Sequence, residues 1–463
     1  MMRIYNTLTK QIETFVPKDK DNVKLYTCGP TVYHYAHIGN LRTYIFEDVL
    51  EKSLNFLGYK VNRVMNITDV GHLTSDADIG EDKMLKGAER ENKTVYEIAD
   101  YYTNAFFNDA DKLNIRKPKV IAKASDYIKE YIEMISLLLE KQIAYSSGGN
   151  IYFDIAKASD YYKLSGKKAE DLQVGVREDV THDDRKKNPA DFVLWFTDSK
   201  FENQAMRWES PFGTGYPGWH IECSMIAISN LGDYLDIHCG GVDNIFPHHE
   251  NEIAQSEAYL GHEWCKYWMH GAHLNDATGK MSKSKGEFLT VSLVEEKGFN
   301  PLSYRFMCLN SHYRNNLLFT WEQLEQAQNT YNKLLARIKT ISKDGTLDTE
   351  AYQTYLEQFK AGLENDLNTS TVMTVLYDIL KSDINGTTKI QLIEEIDSVL
   401  SLDLLKEEVI NNEDYQWVQN LIEERNQAKA NRDFETADKI RNELLIKGIL
   451  LKDSREGTTF EII

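Results

Sequence analysis

The residues with the clearest chemical potential in this sequence are donors of the kind that bind zinc. His248 and Glu252 occur in the stretch GGVDNIFPHHENEIAQSE, which spans Gly240 to Glu257. They are four residues apart, so a helix would project both from one face, and an imidazole with a carboxylate supplies half of a zinc site. Pro247 suits the first turn of such a helix. The alternative is a polar, solvated helix start in which the pair occurs by chance.

Two cysteines, Cys28 and Cys223, could complete this set of donors. Cys28 follows the alternating apolar run Val23–Thr27 and precedes Gly29, so we expect it to end a strand. Cys223 follows the turn-forming sequence PGWHIE and leads into an apolar segment. Thiolates bind zinc well, because zinc is a borderline-soft ion. No CxxC spacing supports the site, and the alternative is that each cysteine is a buried free thiol.

Two further stretches carry groups that suit a nucleotide phosphate. The sequence HIGN places His37, Gly39 and Asn40 at a helix start, where backbone N–H groups and the helix dipole attract anions. The sequence GKMSKSKG places Lys280 and Lys283 on a loop bounded by glycines, where their ammonium groups could stabilise the charge that develops on a polyphosphate. The alternatives are an ordinary capped helix and a mobile surface loop with a basic cluster.

The elements around these stretches predict a parallel sheet. Val23 to Pro30 is typical of a strand, Ile38 to Tyr59 carries the apolar stripe of a helix, and Lys60 to Thr68 is typical of a second strand. A strand, helix and strand in this order form a βαβ unit, whose ligand site lies at the carboxyl ends of the strands. The HIGN turn is therefore expected at that edge of the sheet.

The rest of the chain indicates an inserted segment and then helices. Ser125 to Gln142 is predicted to be helical, Ile143 to Ile155 a hairpin that turns near Gly148, and Asp191 to Phe196 a buried strand. From Asn300 onward helical spacing dominates. We therefore predict an α/β protein with these parts: the first half of a Rossmann-type catalytic domain at 1–120, a connective insertion at 121–205, the second half with the lysine loop at 206–300, a helical bundle at 301–405 and a small C-terminal domain at 406–463.

Composition limits the class of protein further. The chain has 463 residues, 42% of them apolar, and no segment approaches the roughly 18 apolar residues of a membrane span. Five scattered cysteines do not form a disulfide framework, and they fit a reducing, cytoplasmic setting. The net charge of −19 argues against a non-specific nucleic-acid coat. Positions 344–414 hold 16 acidic against 4 basic residues, so the remainder is closer to neutral and could carry a basic path for RNA.

These motifs together resemble the cysteinyl-tRNA synthetases of bacterial type, which are class I aminoacyl-tRNA synthetases. The similarity covers essentially the whole chain. HIGN and KMSKS are generic to class I, whereas PGWHIEC and FPHHENE are far more specific to the cysteine enzymes. The stretches that carry it are CGPTVYHYAHIGN at 28–40, NITDVGHLTSDADIGEDKM at 66–84, WESPFGTGYPGWHIECS at 208–224, DIHCGGVDNIFPHHENEIAQSEA at 236–258, KMSKS at 280–284 and ADKIR at 437–441.

The resemblance implies a ligase that activates L-cysteine with ATP and Mg²⁺ and transfers it from cysteinyl-adenylate to the 3′ end of tRNA(Cys). It implies one zinc ion per subunit, which selects the substrate thiolate, bound by Cys28, Cys223, His248 and Glu252. ATP-binding residues would be His37, Gly39, Asn40, Gly241, Asp243 and Lys283. Catalytic residues would be His37, Asn40, Lys280 and Lys283. The substrate pocket would include Gly29, Thr68 and Trp219, and the tRNA contacts Lys429, Asp438 and Asp453. A cytoplasmic monomer without membrane contact is the expected state.

Several positions depart from the family pattern. Cys239 stands where we expect Gly, and Asn244 where we expect Leu. These two positions lie beside the site and make His238 and Cys239 decoy metal ligands, which we do not expect to bind the ion. Lys429 stands where Arg is usual and Phe460 where Trp is usual, which matters for anticodon contacts because Lys lacks the bidentate fork of Arg.

Two other functions remain open at this point. A cysteine ligase that joins the activated amino acid to an aminosugar, as in mycothiol synthesis, would resemble the same catalytic core but lack the C-terminal portion. A catalytically silent paralogue that only binds RNA would have lost catalytic residues. The long segment after KMSKS argues against the first alternative, and the presence of His37, Asn40, Lys280 and Lys283 argues against the second.

Overall fold

The computed structural model describes most of the chain. The described residues are 1–71, 91, 93–158, 160–167, 184–197, 206–276, 279–280, 288–406, 416–431, 433–446, 449–454 and 457–462. They separate into two compact units, Met1–Leu405 and Lys406–Ile463. This division coincides with the predicted start of the C-terminal domain.

Strands occur in both units and in the inserted segment. In chain order they are β1 (Arg3–Asn6), β2 (Gln11–Thr14), β3 (Val23–Thr27), β4 (Val61–Ile67), β5 (Val120–Lys123), β6 (Ala144–Ser147), β7 (Asn150–Phe153), β8 (Phe192–Phe196), β9 (Tyr216–Pro217), β10 (Leu235–Gly241), β11 (Cys265–Gly271), β12 (Leu274–Asp276), β13 (Gly279–Lys280), β14 (Leu317–Leu318), β15 (Ile449–Ser454) and β16 (Gly457–Ile462).

Helices cover the sheet and make up most of the chain after Asn300. In chain order they are α1 (Ile38–Phe56), α2 (Val95–Lys112), α3 (Ile128–Glu140), α4 (Trp219–Leu231), α5 (His248–Leu260), α6 (Val291–Glu296), α7 (Pro301–Leu309), α8 (Trp321–Lys339), α9 (Thr349–Glu364), α10 (Thr369–Lys381), α11 (Gly386–Leu400), α12 (Gln416–Ala430) and α13 (Phe434–Ile446). Within the described residues, no helix is both long enough and apolar enough to cross a membrane.

The central sheet is parallel, as the βαβ pattern predicts. Its strand order is β11-β10-β3-β4-β5, with all neighbours parallel. The chain leaves β3 through α1 to reach β4 on one side, while β10 pairs with β3 on the other. The strand order therefore reverses between β3 and β10, and such a switch point opens a crevice at the carboxyl ends of the strands. The HIGN turn begins α1 at this point.

The inserted segment forms a sheet of its own with order β6-β7-β8-β9, and its neighbouring strands are antiparallel. The predicted hairpin is confirmed, since Ser147 pairs with Asn150 across Gly148 and Gly149, both at positive φ. Its bounds differ from those predicted at 121–205. The sheet ends only at Tyr216–Pro217, and Val120–Lys123 is an edge strand of the central sheet. Short strands such as β9 leave too little periodicity to mark a boundary.

The helical portion of the first unit packs directly on α1. One apolar cluster joins Leu41 and Ile45 of α1 to Phe359, Leu376 and Leu400 of the bundle helices, all of them buried. Inside this contact, Arg305 of α7 donates to the carboxylate of Asp48 at 2.6 Å, and both side chains are fully buried. The helix that begins with the HIGN turn is thus anchored at its middle to the bundle.

The C-terminal unit consists of α12, α13 and the hairpin of β15 and β16. The hairpin is antiparallel and pairs Ser454 with Gly457 at its turn. Its core includes Val418, Ile422 and Leu444.

A buried carboxyl on α1 gives a testable pH dependence. Glu47 is fully buried, and neither of its oxygens accepts a hydrogen bond from the described residues. Burial raises its pKa to about 8, although Arg63 opposes the shift. A raised pKa in the folded state means that stability is present at low pH and is lost as pH rises toward 8.

We therefore expect wild-type protein to lose about 2 kcal/mol of unfolding free energy between about pH 6 and about pH 8 relative to Glu47→Gln, since one proton is worth about 1.4 kcal/mol per pH unit. Urea unfolding of both proteins at several pH values measures this difference. Parallel pH profiles for the two proteins would contradict the prediction.

Candidate active site and metal centre

The four predicted metal donors converge at the carboxyl edge of the central sheet. Cys28 directly follows β3, Cys223 lies in the second turn of α4, and His248 and Glu252 lie in the first two turns of α5. One donor atom from each lies within 4.8 Å of all the others. The predicted i,i+4 geometry is confirmed, because Nε2 of His248 is 3.0 Å from Oε1 of Glu252. Pro247 is the N-cap residue of α5 rather than part of its first turn.

The geometry of these donors fits a metal ion with mixed sulfur, nitrogen and oxygen ligands. The Sγ atoms of Cys28 and Cys223 are 3.9 Å apart. Oε1 of Glu252 is buried and lies 3.0 Å from Nε2 of His248 and 3.9 Å from Nε2 of His249. Two sulfurs, one imidazole nitrogen and one carboxylate oxygen form a set that zinc accepts.

The charges of the set balance each other. Burial would lower the pKa of His248, but the nearby Glu252 and Cys223 outweigh it and raise that pKa to about 10. Burial would raise the pKa of Cys223, but its hydrogen bond to Cys28 and the charge of His248 bring it below its usual value. The pKa of Glu252 is likewise lowered, because His238 and His248 outweigh the effect of burial. The site therefore favours the thiolate of Cys223 and the carboxylate of Glu252, the forms in which these side chains bind metals. His248 binds a metal only as neutral imidazole, so a bound metal ion would displace its proton.

A second group of donors shares two members of the first. Cys28 and Glu252 also lie within 4.8 Å of His238 and His249, measured between donor atoms. His238 Nε2 is 2.9 Å from Oε2 of Glu252, and His249 Nε2 is 3.2 Å from the Cys28 sulfur. His238 was predicted to be a decoy ligand, but it is one of the residues that could hold a metal here. Cys239 belongs to neither group, and its side chain lies in an apolar cluster with Ile237 and Met269.

Further histidines, which were not among the predicted site residues, surround the donors. His220 Nδ1 is 2.9 Å from Nδ1 of His248, and His270 Nε2 is 2.8 Å from Nδ1 of His249. Such contacts fix the ring orientation of a ligand, as outer-shell partners do in metal sites. His249 could have been found from the HHENE sequence, whereas His270 lies at the end of β11 without a local signal.

The predicted substrate residues line the same region. The ring of Trp219 is half-buried, and its centroid is 4.4 Å from that of His248. Thr68 is buried, and its hydroxyl donates to Oε2 of Glu222 at 3.0 Å. The Gly29 N–H donates to Oδ1 of Asn66, and a Cβ at Gly29 would lie 1.6 Å from the Asn66 carbonyl oxygen. Only glycine fits between the ends of β3 and β4 at this position.

The predicted phosphate-binding residues lie at the switch point of the sheet. His37 is the N-cap residue of α1, and its Nδ1 accepts the Asn40 N–H at 3.2 Å. Asn40 is exposed and Gly39 is partly exposed. Gly241 ends β10 opposite α1, with the hydroxyl of Thr43 3.6 Å from where its Cβ would be.

The remaining predicted ATP-binding residues are an exposed aspartate and Lys283, and Lys280 is the other lysine predicted to be catalytic. Asp243 is exposed, 3.4 Å from Nε2 of His273. Lys280 is in β13, which pairs with β12. Lys283 lies outside the described residues.

The three predicted tRNA contacts lie within the C-terminal unit. Asp453 accepts two hydrogen bonds from the Arg425 guanidinium at 2.9 Å and one from Lys429 at 2.8 Å. These partners hold the pKa of Asp453 well below its usual value. Asp438 is exposed on α13. Lys429, at the position where we expected Arg, therefore contributes one hydrogen bond to the Asp453 carboxylate. The bidentate contact with that carboxylate comes from Arg425 instead.

Comparison with known proteins places the chain in a family. Residues 14–329 match the family described as tRNA synthetases class I (C) catalytic domain. The cysteine–tRNA ligase of Treponema denticola is 43% identical over 99% of both chains. The chain belongs to the cysteine–tRNA ligase family. The cysteine–tRNA ligase of Borreliella burgdorferi is also 43% identical, with the same coverage.

Solved structures support the same fold. Methionyl-tRNA synthetase of Mycobacterium tuberculosis, in complex with methionyl-adenylate, matches with a TM-score of 0.55. It is 13% identical, and the match covers 83% of this chain and 91% of that one. At this identity the similarity concerns the fold alone, a class I catalytic core with a parallel sheet. The relatives of the cysteine–tRNA ligase family extend over the C-terminal unit as well, so neither of the two alternative functions is favoured.

Proposed function

We propose that this protein is a cysteine–tRNA ligase in which a zinc ion selects the substrate thiol. The observation that carries the proposal is the convergence of Cys28, Cys223, His248 and Glu252 within 4.8 Å, next to the switch point where α1 begins. Membership of the family supplies the reaction class. The donor set supplies the selectivity, because two thiolates with an imidazole and a carboxylate suit zinc.

The first half-reaction joins the cysteine carboxylate to the α-phosphate of ATP and releases pyrophosphate. It needs positioning and charge stabilisation rather than a protein nucleophile. Asn40 and the backbone around Gly39 offer donors to the phosphates at the start of α1, where the helix dipole attracts anions. Gly241 and Asp243 lie on the other side of the same switch point, beside the carboxyl end of β10.

The lysine loop completes the ATP site in this proposal. Lys280 and Lys283 follow the phosphates as charge develops and stabilise the leaving pyrophosphate with Mg²⁺. The reaction then ends with transfer of the cysteinyl group to a ribose hydroxyl at the 3′ end of tRNA(Cys). Asp438, Lys429 and Asp453 contribute to the anticodon surface of the C-terminal unit.

The metal donors give selection without a separate editing step. Cys28, Cys223, His248 and Glu252 would hold the ion, and Trp219 closes the pocket beside them. When bound, zinc supplies a soft Lewis acid that prefers a thiolate to a hydroxyl. A preference of about 5–6 kcal/mol for cysteine over serine corresponds to a discrimination of roughly 10⁴.

The proposal is tested by exchange of labelled pyrophosphate into ATP, with cysteine and with serine. We expect exchange with cysteine and at least about 10³-fold less with serine, and charging of tRNA(Cys) but not of an aminosugar acceptor. If serine supported pyrophosphate exchange as well as cysteine does, the metal would have no role in selecting the amino acid. If there were no exchange with either amino acid, the RNA-binding alternative would take its place.

A further inference from the structure

The inserted segment holds the outer side of α5, the helix that carries two of the metal donors. Glu250 of this helix is 1% exposed and points away from the donor set into the segment 160–167. Its Oε1 accepts the backbone N–H of Leu164 at 3.1 Å, and its Oε2 accepts that of Ser165 at 2.8 Å. Both oxygens of one buried carboxylate are therefore committed to consecutive amides of the insertion.

Three more contacts from the insertion follow the length of α5. The hydroxyl of Tyr161 donates to Oδ1 of Asn251, which is 2% exposed. Lys163 forms an ion pair with Glu257, with N–O distances of 2.6 and 2.8 Å.

At the far end of α5, Lys141 donates to the carbonyl oxygens of Ala258 and Tyr259 at 3.0 and 2.9 Å. A lysine at this place also complements the negative end of the helix dipole. The helix is thus held at its start, middle and end by one inserted segment.

The backbone of the inserted segment adopts costly conformations to make these contacts. Asp160 and Tyr162 have φ values of 58° and 84°, in the left-handed region that side chains with a Cβ avoid. Gly166 also lies there, with φ of 66°. Residues keep such conformations when the surrounding contacts over-determine them, and they concentrate near functional sites.

The inner side of α5 is tied to the helix that carries Cys223. Gln255 donates through Nε2 to the hydroxyl of Ser224 at 2.7 Å, and the hydroxyls of Ser256 and Ser224 are 2.8 Å apart. His248 and Glu252 therefore sit on a helix held between α4 and the inserted segment. A shift of α5 would move these two donors relative to Cys28 and Cys223.

We propose that the segment 161–165 and Lys141 form a clamp that positions α5 for metal binding. Tyr161 of the clamp and Glu250, the partner of the clamp on α5, are the central positioning residues, and neither belongs to the donor set. This inference rests on the proposed zinc site. It assigns to the insertion a part in amino-acid selection, because the clamp sets the spacing of the donors.

The clamp is tested by the zinc affinity of full-length Glu250→Gln and Tyr161→Phe, measured by competition with a chromogenic chelator. Glu250→Gln keeps the shape but turns an amide donor toward a backbone N–H, and Tyr161→Phe removes one hydroxyl. We expect zinc binding to weaken by about 10–100-fold in Glu250→Gln, comparable to the loss of an outer-shell partner, because a shift of α5 moves two donors at once. The effect of Tyr161→Phe is expected to be smaller. The preference for cysteine over serine in pyrophosphate exchange falls in the same order.

Tyr145→Phe is the matched control, because its hydroxyl donates to Asp191 inside the insertion and not to α5. It should bind zinc as tightly as the wild type. If all three variants bound zinc as tightly as the wild type, the clamp would be overturned and the proposed function would remain in place. A wild type that binds no zinc would overturn both. If Glu250→Gln does not fold, the zinc affinities of Tyr161→Phe and Tyr145→Phe decide the outcome. Weaker binding in Tyr161→Phe alone supports the clamp, and equal binding overturns it.

Discussion

Cys223→Ser is expected to release the metal and to reduce cysteine-dependent pyrophosphate exchange by about 10²–10³-fold, the range for losing one preorganised electrostatic partner. The substitution changes one atom in a fully packed site, since Cys223 is 1% exposed. A serine hydroxyl stays protonated at neutral pH and is a poor ligand for a borderline-soft ion. It also removes the negative charge that, together with Glu252, raises the pKa of His248.

The measurement is zinc per chain after dialysis, alongside exchange with cysteine and with serine. Cys265→Ser serves as a control, because Cys265 is also buried but lies in β11 outside both donor groups. It should retain zinc and exchange. If Cys223→Ser kept zinc as tightly as Cys265→Ser, the set with His238 and His249 would be the one that binds the ion. If it lost zinc but kept its preference for cysteine, selection would depend on the pocket around Trp219 instead.

The sequence predicted those parts of the molecule that have a local signal. The helix predicted at Ile38 to Tyr59 occurs at Ile38–Phe56, because its apolar stripe faces both the sheet and the bundle. The hairpin around Gly148 follows from two glycines that accept positive φ. The residue types and the i,i+4 spacing of His248 and Glu252 predicted two of the four metal donors. Joining them to Cys28 and Cys223 depended on the family resemblance, since nearly 200 residues separate the two cysteines.

What the sequence did not predict is the set of contacts between distant segments. Glu250 meets amides that are about 85 residues away in the chain, and Asp48 meets Arg305 at a separation of 257 residues. Neither a buried carboxylate nor a buried guanidinium is recognisable in sequence, because both residue types occur mostly at surfaces. Their partners follow only from the topology that brings the insertion onto α5 and the bundle onto α1.

Removal of a buried charge from α1, the helix that begins at HIGN, has the largest expected effect on stability. Asp48 and Arg305 are fully buried and 2.6 Å apart, and Lys52 donates to the same carboxylate oxygen at 2.7 Å. Burial would raise the pKa of Asp48, but Arg305 and Lys52 outweigh it and lower that pKa. A carboxyl with a lowered pKa contributes stability above its unfolded pKa, and that stability is lost as pH falls through the folded value.

Asp48→Asn should therefore reduce the unfolding free energy by about 3–5 kcal/mol at neutral pH, because it leaves buried cations without their anion. Urea unfolding measures the loss. Asp21→Asn is the control, since Asp21 pairs with Lys60 at 2.8 Å on the surface and its loss should leave stability unchanged.

The double variant Asp48→Asn with Arg305→Met separates the cost of an unpaired charge from the value of the pair. Removing both partners should cost less than the sum of the single changes, because neither charge then remains unpaired in the interior. Additive effects would mean that Arg305 stabilises the protein chiefly through its donation to the Leu400 and Leu113 carbonyls. In either case, pyrophosphate exchange should fall with Asp48→Asn, since α1 carries His37 and Asn40 at its start. Unchanged exchange in a destabilised Asp48→Asn would show that the middle of α1 does not position its phosphate-binding end.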